Sequence, residues 1–153
     1  MKKIIFLCLT VVLTIGSFAT PVPAPSPDKS AKILKLFHEN FPEVTNDSIY
    51  NLGDSYLVYF KNEKNNSSCR VYYDPNGKVL ETIRYYSGKE LCPFIRAKVN
   101  ERFHGKDIFM VTDLTNDNEH YYQIILQDSK SLLVVHANEN GQMHVEKRYK
   151  RAG

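Results

Sequence analysis

The 153-residue sequence has no tryptophan and only three cysteines, and it lacks the short motifs that mark common catalytic and metal sites. It contains no Gly-x-Ser-x-Gly segment, and no cysteine has a histidine nearby in sequence, which argues against nucleophilic hydrolysis. Neither Cys-x-x-Cys nor His-x-x-x-His, the spacings typical of zinc ligands, is present. We therefore predict no enzymatic activity, no cofactor and no metal site.

The sequence also lacks a strong charge of either sign. Its formal net charge is +3, and this falls to +1 if residues 1–19 are removed, because Lys2 and Lys3 leave with them. Binding the phosphate backbone of a nucleic acid requires a cluster of positively charged side chains. The composition therefore argues against nucleic acid as a partner.

Long apolar runs are absent except at the N-terminus. There Lys2 and Lys3 precede an apolar stretch from Ile4 to Ile15, and the small residues Ser17 and Ala19 follow it. This arrangement is typical of a secretory signal peptide. The stretch is shorter than the roughly 20 residues that a bilayer span needs. We predict a bacterial signal peptide over residues 1–19, a periplasmic or secreted protein, and no integral membrane segment after cleavage.

The eight residues that follow, 20–27, read Thr-Pro-Val-Pro-Ala-Pro-Ser-Pro, with proline at every odd position. Such a segment favours extended polyproline geometry and cannot build a core. We interpret it as a proline-rich tether. Beyond it, the even pair Cys69 and Cys92 leaves two alternatives open in an exported chain, a disulfide or two separately buried thiols.

The rest of the chain shows self-similarity. Segments that begin at Asn76 and Asn140, 64 positions apart, match at four places. The matching pairs are Asn76 with Asn140, Gly77 with Gly141, Arg84 with Arg148, and Tyr85 with Tyr149. The order of apolar patterns is also the same in both halves. We predict two repeat units, residues 28–91 and 92–153, that form one compact domain.

Each unit is predicted to be one helix followed by a four-stranded antiparallel meander, an α+β fold. Apolar stripes at helical spacing end at Phe41 in the first unit and at Phe103 in the second. Period-two patterns predict strands near residues 46–52, 55–61, 68–73 and 78–86, and near 107–115, 119–127, 131–137 and 142–150.

The turn at residues 74–78 has the chemistry of a three-residue hairpin loop, with Pro75 and Gly77 at the required places. This register places Tyr72 opposite Leu80, and by the repeat places His136 opposite His144. Period two then assigns one face of each sheet to the core. Glu81 and Lys147 fall on that core face by parity, which indicates a bulge or frayed ends there.

The predicted core face carries Tyr56, Val58, Phe60, Val71, Tyr73, Val79, Ile83 and Tyr85, then Tyr122, Ile124, Leu126, Leu133, Val135, Met143, Val145 and Tyr149. The predicted opposite face carries Leu57, Tyr59, Arg70, Tyr72, Leu80, Thr82, Arg84 and Tyr86, then Tyr121, Gln123, Ile125, His136, His144 and Arg148. Two facing histidines do not make a metal site without a third ligand.

This organisation resembles the beta-lactamase-inhibitor-like, PepSY-like proteins of bacterial envelopes. The resemblance rests on the helices that end at Phe41 and Phe103, the tyrosine-rich second strands of each unit, and the turns at Gly77 and Gly141. It implies that the two units place their sheets side by side as one extended sheet, with the helices on one face and the other face open. In inhibitors of this family that open surface grips an enzyme.

We therefore predict a binding module whose open face engages a protein partner, with inhibition of an envelope or extracellular hydrolase, a peptidase or a beta-lactamase-like enzyme, as the finer hypothesis. Tyrosine suits this use because it buries a large area with little loss of entropy. The candidate contact residues are Tyr59, Tyr72, Tyr86, Tyr121 and His136, with Arg84 and Arg148 at the rim. The alternatives are a structural or stress-related envelope protein without a dedicated target, and a small-ligand-binding domain with a deep polar pocket between the units.

Overall fold

The computed structural model describes residues 28–151. The predicted signal peptide over residues 1–19, with Cys8 inside it, and the predicted tether over residues 20–27 lie outside the described residues.

Ten main elements follow one another along the described chain. They are α1 (Ser30–Asn40), β1 (Asp47–Asn51), β2 (Tyr56–Asn62), β3 (Ser67–Tyr73), β4 (Val79–Tyr86), α2 (Pro93–Arg102), β5 (Asp107–Asn116), β6 (His120–Gln127), β7 (Ser131–Asn138) and β8 (Met143–Lys150), with a short 3₁₀ turn at Gly88–Glu90 before α2. All eight strands form one antiparallel sheet in the order of the chain, so β1 and β8 are its edges. The α+β class is confirmed, and most of the predicted bounds agree to within two residues.

Helix α1 begins after a local cap and ends at an aromatic residue. The Asp28 carboxylate accepts hydrogen bonds from the hydroxyl and the backbone N–H of Ser30, which lower the pKa of that carboxyl, the hydroxyl more than the N–H. At the other end, the Phe41 N–H bonds to the Phe37 carbonyl, and Pro42 prevents continuation. Ile33 and Phe37 are fully buried and hold the helix on the sheet.

Two apolar cores lie under the two helices. The first joins α1 to β2 and β3, with Val58 and Val71 beneath Ile33 and Phe37. The second joins α2 to β4 through β8, where Ile95 and Val99 pack over strands β6 and β7. Cross-strand partners point to the same face of an antiparallel sheet. The row of partners that runs from the first core through Arg84 to the second core therefore puts both helices on one face.

A β-bulge in β4 changes the predicted register. Tyr73 pairs with Val79, but Tyr72 pairs with Glu81 and not with Leu80, because an extra residue is inserted at this point. The prediction of Tyr72 opposite Leu80 is therefore wrong. Beyond the bulge every side chain changes face, as period two requires.

A second bulge lies in β8. His136 pairs with His144 as predicted, whereas Val135 pairs with Val145 and Val134 with Lys147. The residues that move to the helix-covered face, against prediction, are Thr82, Arg84, Tyr86 and Arg148. Those that move to the open face are Ile83, Tyr85 and Tyr149. The parity conflict at Glu81 and Lys147 was the sequence signal of these two bulges.

Each last hairpin also touches the helix of its own half through a glycine. Gly77 has φ of +99°, and a Cβ built on it would overlap the Leu36 Cδ1 of α1. Gly141 has φ of +78°, and a Cβ there would lie 3.2 Å from the Phe94 ring of α2. The two glycine turns therefore set the geometry of the hairpins and also contact the helices, which fixes the position of each helix on the sheet.

We expect Gly77→Ala to lower the free energy of unfolding by about 1–3 kcal/mol, because alanine at positive φ is strained and Leu36 must move aside. Gly53→Ala is the matched control: its φ is +90°, but no atom lies within 4 Å of the added Cβ. Urea denaturation of both variants measures the difference. An equal loss in the two variants would show that the contact with Leu36 contributes nothing.

Candidate binding surface

The face of the sheet opposite the helices, here called the open face, is covered by no helix or strand of residues 28–151. The strand register defines it as successive rows of side chains that point away from both cores. Its members across β1 to β7 include Tyr50, Leu57, Tyr59, Arg70, Tyr72, Glu81, Ile83, Tyr85, Leu114, Tyr121, Gln123 and His136. The mixture is richer in tyrosine and aliphatic residues than a solvated sheet surface requires.

One row crosses the middle of the open face. Tyr59, Arg70, Ile83, Leu114 and Tyr121 are successive cross-strand partners on five neighbouring strands, β2 to β6. All except Arg70 are partly buried by their neighbours. The row therefore forms a continuous band, apolar or aromatic except at Arg70, that runs from the first half of the chain into the second.

Beside this band lies a groove, here called the tyrosine groove, with a volume of about 420 Å³. Its lining residues are Tyr50, Leu52, Leu57, Tyr59, Arg70 and Tyr72. Tyr50 and Leu52 are 50% and 53% exposed, which is high for large apolar side chains. Most of the lining surface is apolar, so water in the groove gains little from the walls.

Arg70 separates the tyrosine groove from a second depression. Its guanidinium donates a hydrogen bond of 3.3 Å to the Tyr85 hydroxyl and lies 5.3 Å from the centroid of that ring. The second depression, of about 760 Å³, has Tyr59 and Tyr85 in its wall, with the exposed Phe109 and Met110 of β5 at its end. Tyr59 is thus a shared wall between two concavities.

On the β6–β8 side, three rings stack in a line. The ring centroids of Tyr121 and His136 are 4.2 Å apart, and those of His136 and His144 are 5.0 Å apart. Desolvation, followed by the carboxylates of Glu119, Glu81 and Glu146, raises the pKa of Tyr121. Within residues 28–151 no group of three or more potential ligands gathers around a metal position. The histidine pair extends the aromatic surface.

Three predicted contact residues, Arg84, Tyr86 and Arg148, lie on the other face, and the first two meet between the cores. Tyr86 is only 5% exposed and belongs to the second core, and its hydroxyl donates to Asp113 Oδ2 at 3.2 Å. Burial, followed by the Asp113 carboxylate, raises the pKa of Tyr86. The Arg84 guanidinium lies 4.7 Å from the centroid of the Tyr86 ring. On the far side of Asp113, Oδ1 is 2.9 Å from His120 Nε2. Tyr86 and Arg84 therefore support the seam between the cores.

Among the other predicted residues, Tyr59, Tyr72, Tyr121 and His136 lie on the open face, whereas Arg148 pairs with buried Leu133 and lies on the helix side. Prediction from the sequence missed Ile83 and Tyr85, because of the bulge, and missed Tyr50 and Leu52, because the first strand had no clear alternation. The parity conflict at Glu81 would have identified Ile83 and Tyr85.

The two cysteines of the described chain are both free. Cys69 is buried in the first core, and burial raises the pKa of its thiol to about 11. Cys92 precedes α2 and is exposed. The sequence left open a disulfide or two separately buried thiols. The structure has no disulfide between Cys69 and Cys92, and only the Cys69 thiol is buried.

The fold is shared with solved structures of Bacteroides proteins. One is a BLIP-like protein from Bacteroides fragilis, with a TM-score of 0.60 and 18% identity, over 87% of this chain and 92% of that one. The chain has the BLIP-like fold. A DUF2874 family protein from Bacteroides ovatus matches with a TM-score of 0.58 and 12% identity, over 82% of this chain and 89% of its own.

A protein from Bacteroides eggerthii described as periplasmic matches with a TM-score of 0.58 and 12% identity, over 82% of this chain and 88% of its own. No family model matches the sequence, and no curated protein does. The solved structures confirm, at the level of the fold, the beta-lactamase-inhibitor-like part of the resemblance inferred from the sequence. No helix of residues 28–151 combines the length and the apolar character needed to cross a membrane.

We expect thiol labelling of a chain that begins at residue 20 to modify one cysteine in the native state and two after unfolding. Cys92 is exposed and reacts, whereas Cys69 is shielded and, with a pKa of about 11, holds its proton between pH 7 and 9. Mass spectrometry of the labelled peptides gives the assignment. Equal labelling rates for the two thiols in the native protein would contradict this placement.

Proposed function

We propose that the chain is an exported binding module whose open face engages a protein partner. The observation that carries this proposal is the continuous band from Tyr59 to Tyr121 with the tyrosine groove beside it, a large aromatic surface that no helix or strand of residues 28–151 covers. Large exposed apolar patches on a folded domain mark interaction sites.

The chemistry of this surface suits protein recognition. Tyrosine contributes a large contact area and keeps a polar tip that can bond to a partner. Binding energy concentrates in a few central tyrosine, tryptophan and arginine residues, with near-neutral contacts around them. Tyr59, Tyr72 and Tyr121 are such central residues here, with Arg70 between them and His136 beside Tyr121. Arg84, Tyr86 and Arg148 have no part in this contact, because they lie on the helix side.

The finer form of the proposal is that the partner is an envelope or extracellular hydrolase, a peptidase or a beta-lactamase-like enzyme, which binding inhibits. The BLIP-like fold supports this choice. The tyrosine groove and the second depression share Tyr59 as a wall. Each can receive a different side chain of an enzyme loop. No catalytic chemistry is assigned to the module itself.

Export and duplication belong to the same proposal. The signal peptide at residues 1–19 and the tether at 20–27 would deliver the domain to the periplasm or the medium, and the periplasmic description of one neighbour supports that location. Units 28–91 and 92–153 would descend from one helix-plus-four-strand ancestor. The repeated order of elements supports this origin, as do the contacts of Gly77 and Gly141 with the helices of their own halves.

The small-ligand alternative needed a deep polar pocket between the two units. The depression that joins the halves on the open face, between Tyr72, Glu81 and Asn116, is wide open to solvent. This shape favours a macromolecular contact over the enclosure of a small molecule.

We expect immobilised protein of residues 20–153 to retain a partner from envelope extract, and Tyr72→Ala and Tyr121→Ala each to weaken that complex by about 30-fold. This factor corresponds to the roughly 2 kcal/mol lost at a central contact residue. The partner is identified by mass spectrometry, and affinities are then measured with the purified pair by surface plasmon resonance.

Tyr149→Ala is the matched control, because Tyr149 lies at the far edge of the same face and is 51% exposed, like Tyr50. Its affinity should stay within about twofold of the unaltered chain, as for a residue outside the contact. Recovery of no stoichiometric partner would favour a structural or stress-related envelope protein. Equal losses of affinity for Tyr72→Ala, Tyr121→Ala and Tyr149→Ala would show that the partner does not bind at the centre of the open face.

A further inference from the structure

We propose that the chain's own N-terminal segment, residues 20–27, runs to the tyrosine groove, binds there through residues 20–24 and covers part of the open face. This occupant deepens the proposed function, because it competes with the partner for the same surface. Only this competition rests on the proposed function. The contact between the N-terminal segment and the groove does not require a partner.

The groove offers aromatic faces and unused hydrogen-bond donors. Three tyrosine rings, from Tyr50, Tyr59 and Tyr72, form its walls together with two leucines. Within residues 28–151 none of these three hydroxyls has a hydrogen-bond partner, and the Arg70 guanidinium has donors to spare after its bond to Tyr85. An occupant that is apolar and rich in acceptors therefore matches the groove.

The segment 20–27 has this composition. Half of its residues are proline, which lacks a backbone N–H, so its carbonyl acceptors outnumber its amide donors. A polyproline II helix has three residues per turn. In that geometry Thr20, Pro23 and Ser26 fall on one face, which therefore carries both hydroxyls. The other two faces carry only apolar residues, namely Pro21, Val22, Ala24, Pro25 and Pro27.

Aromatic-lined grooves are a recurrent binding site for polyproline II segments, because the helix is preformed and loses little entropy on binding. Proline rings pack on the faces of tyrosine rings, and the tyrosine hydroxyls donate to the free carbonyls between them. Pro21, Val22 and Ala24, which lie on the two apolar faces, would then lie in the groove, while Thr20 and Ser26 face water. No charged side chain is carried into the groove, since the segment has none.

The position of the chain at residue 29 allows this contact. The Lys29 N–H donates a 3.0 Å hydrogen bond to the Tyr56 hydroxyl, at the end of β2 that borders the groove. Tyr56 pairs with Asn51, and the next residue, Leu52, is part of the groove lining. The described chain therefore starts next to the groove, but on the helix side of the sheet.

The remaining distance is within reach of the segment. Packed layers lie about 10 Å apart, so a path from the helix layer, around the β1–β2 turn, to the open face measures about 15 Å. At about 3.1 Å per residue in polyproline II, the five steps from residue 29 back to residue 24 cover this path, which leaves residues 20–24 for the groove. The turn presents open space at Gly53, where nothing lies within 4 Å of an added Cβ. A covalently attached segment also acts at an effective concentration of about millimolar, which favours a contact that is weak in a free peptide.

The test compares residues 20–153 with a variant in which Pro21, Pro23, Pro25 and Pro27 are all replaced by serine. NMR spectra of the tyrosine rings are the readout. We expect the ring signals of Tyr50, Tyr59 and Tyr72 to shift in the variant and to show contacts with proline protons only in the unaltered chain. The ring signal of Tyr149, on the same face but far from the groove, should not move.

A free peptide with the sequence of residues 20–27 should bind the variant at least tenfold more tightly than it binds the unaltered chain. It should also return the three ring signals towards their original positions. Circular dichroism and the thermal midpoint of both chains control for the fold, which the substitutions do not touch.

Identical tyrosine spectra in the two chains would overturn the proposal. So would shifts that disappear on tenfold dilution, since the occupant would then be the N-terminus of a second copy. These readouts need no partner, so failure to capture one bears only on the proposed function. If the N-terminal segment binds in the groove and the open face also binds a partner, the serine variant should retain more partner than the unaltered chain at equal concentration.

Discussion

An eight-stranded sheet has two faces, and the described chain supplies helices for only one of them. Helices α1 and α2 have 11 and 10 residues and are each too short to be stable alone, so both depend on burying their apolar stripes against the sheet. Ile33 and Phe37 in one, and Ile95 and Val99 in the other, are buried almost completely. Both helices settle on the same side, and the opposite side is left with side chains that no structural contact explains.

The two cores are linked through the centre of the sheet. Tyr86 is the last residue of β4, in the first half of the chain, but it packs into the second core. Its hydroxyl meets Asp113 of β5, which also contacts His120 at the start of β6. A polar chain of this kind, at the strand junction between the halves, makes the two cores parts of one packed structure and limits relative motion across the open face.

Sequence patterns were sufficient for the class, the order of elements and most of their bounds, because helical stripes, period-two strands and the glycine turns are local signals. They were also sufficient for the pairing of His136 with His144, which lies between the turn and the bulge. They failed for Arg84, Tyr86 and Arg148. The only sign of each bulge was a parity conflict, at Glu81 and at Lys147, which frayed ends would explain equally well, and one added residue exchanges the two faces of a strand. The candidate surface was therefore predicted in its centre, at Tyr59, Tyr72 and Tyr121, and wrongly beyond each bulge.

The strands of the sheet are arranged in the order in which they occur in the chain, and each one pairs with its immediate successor. Every ladder is thus closed by a turn or by the short segment around α2, and the entropy lost in bringing two strands together stays small. Folds built from contacts near in sequence reach their native state quickly. A chain that emerges N-terminus first can then add hairpin after hairpin to a growing sheet, and its unpaired edge is exposed only briefly to other unfolded chains.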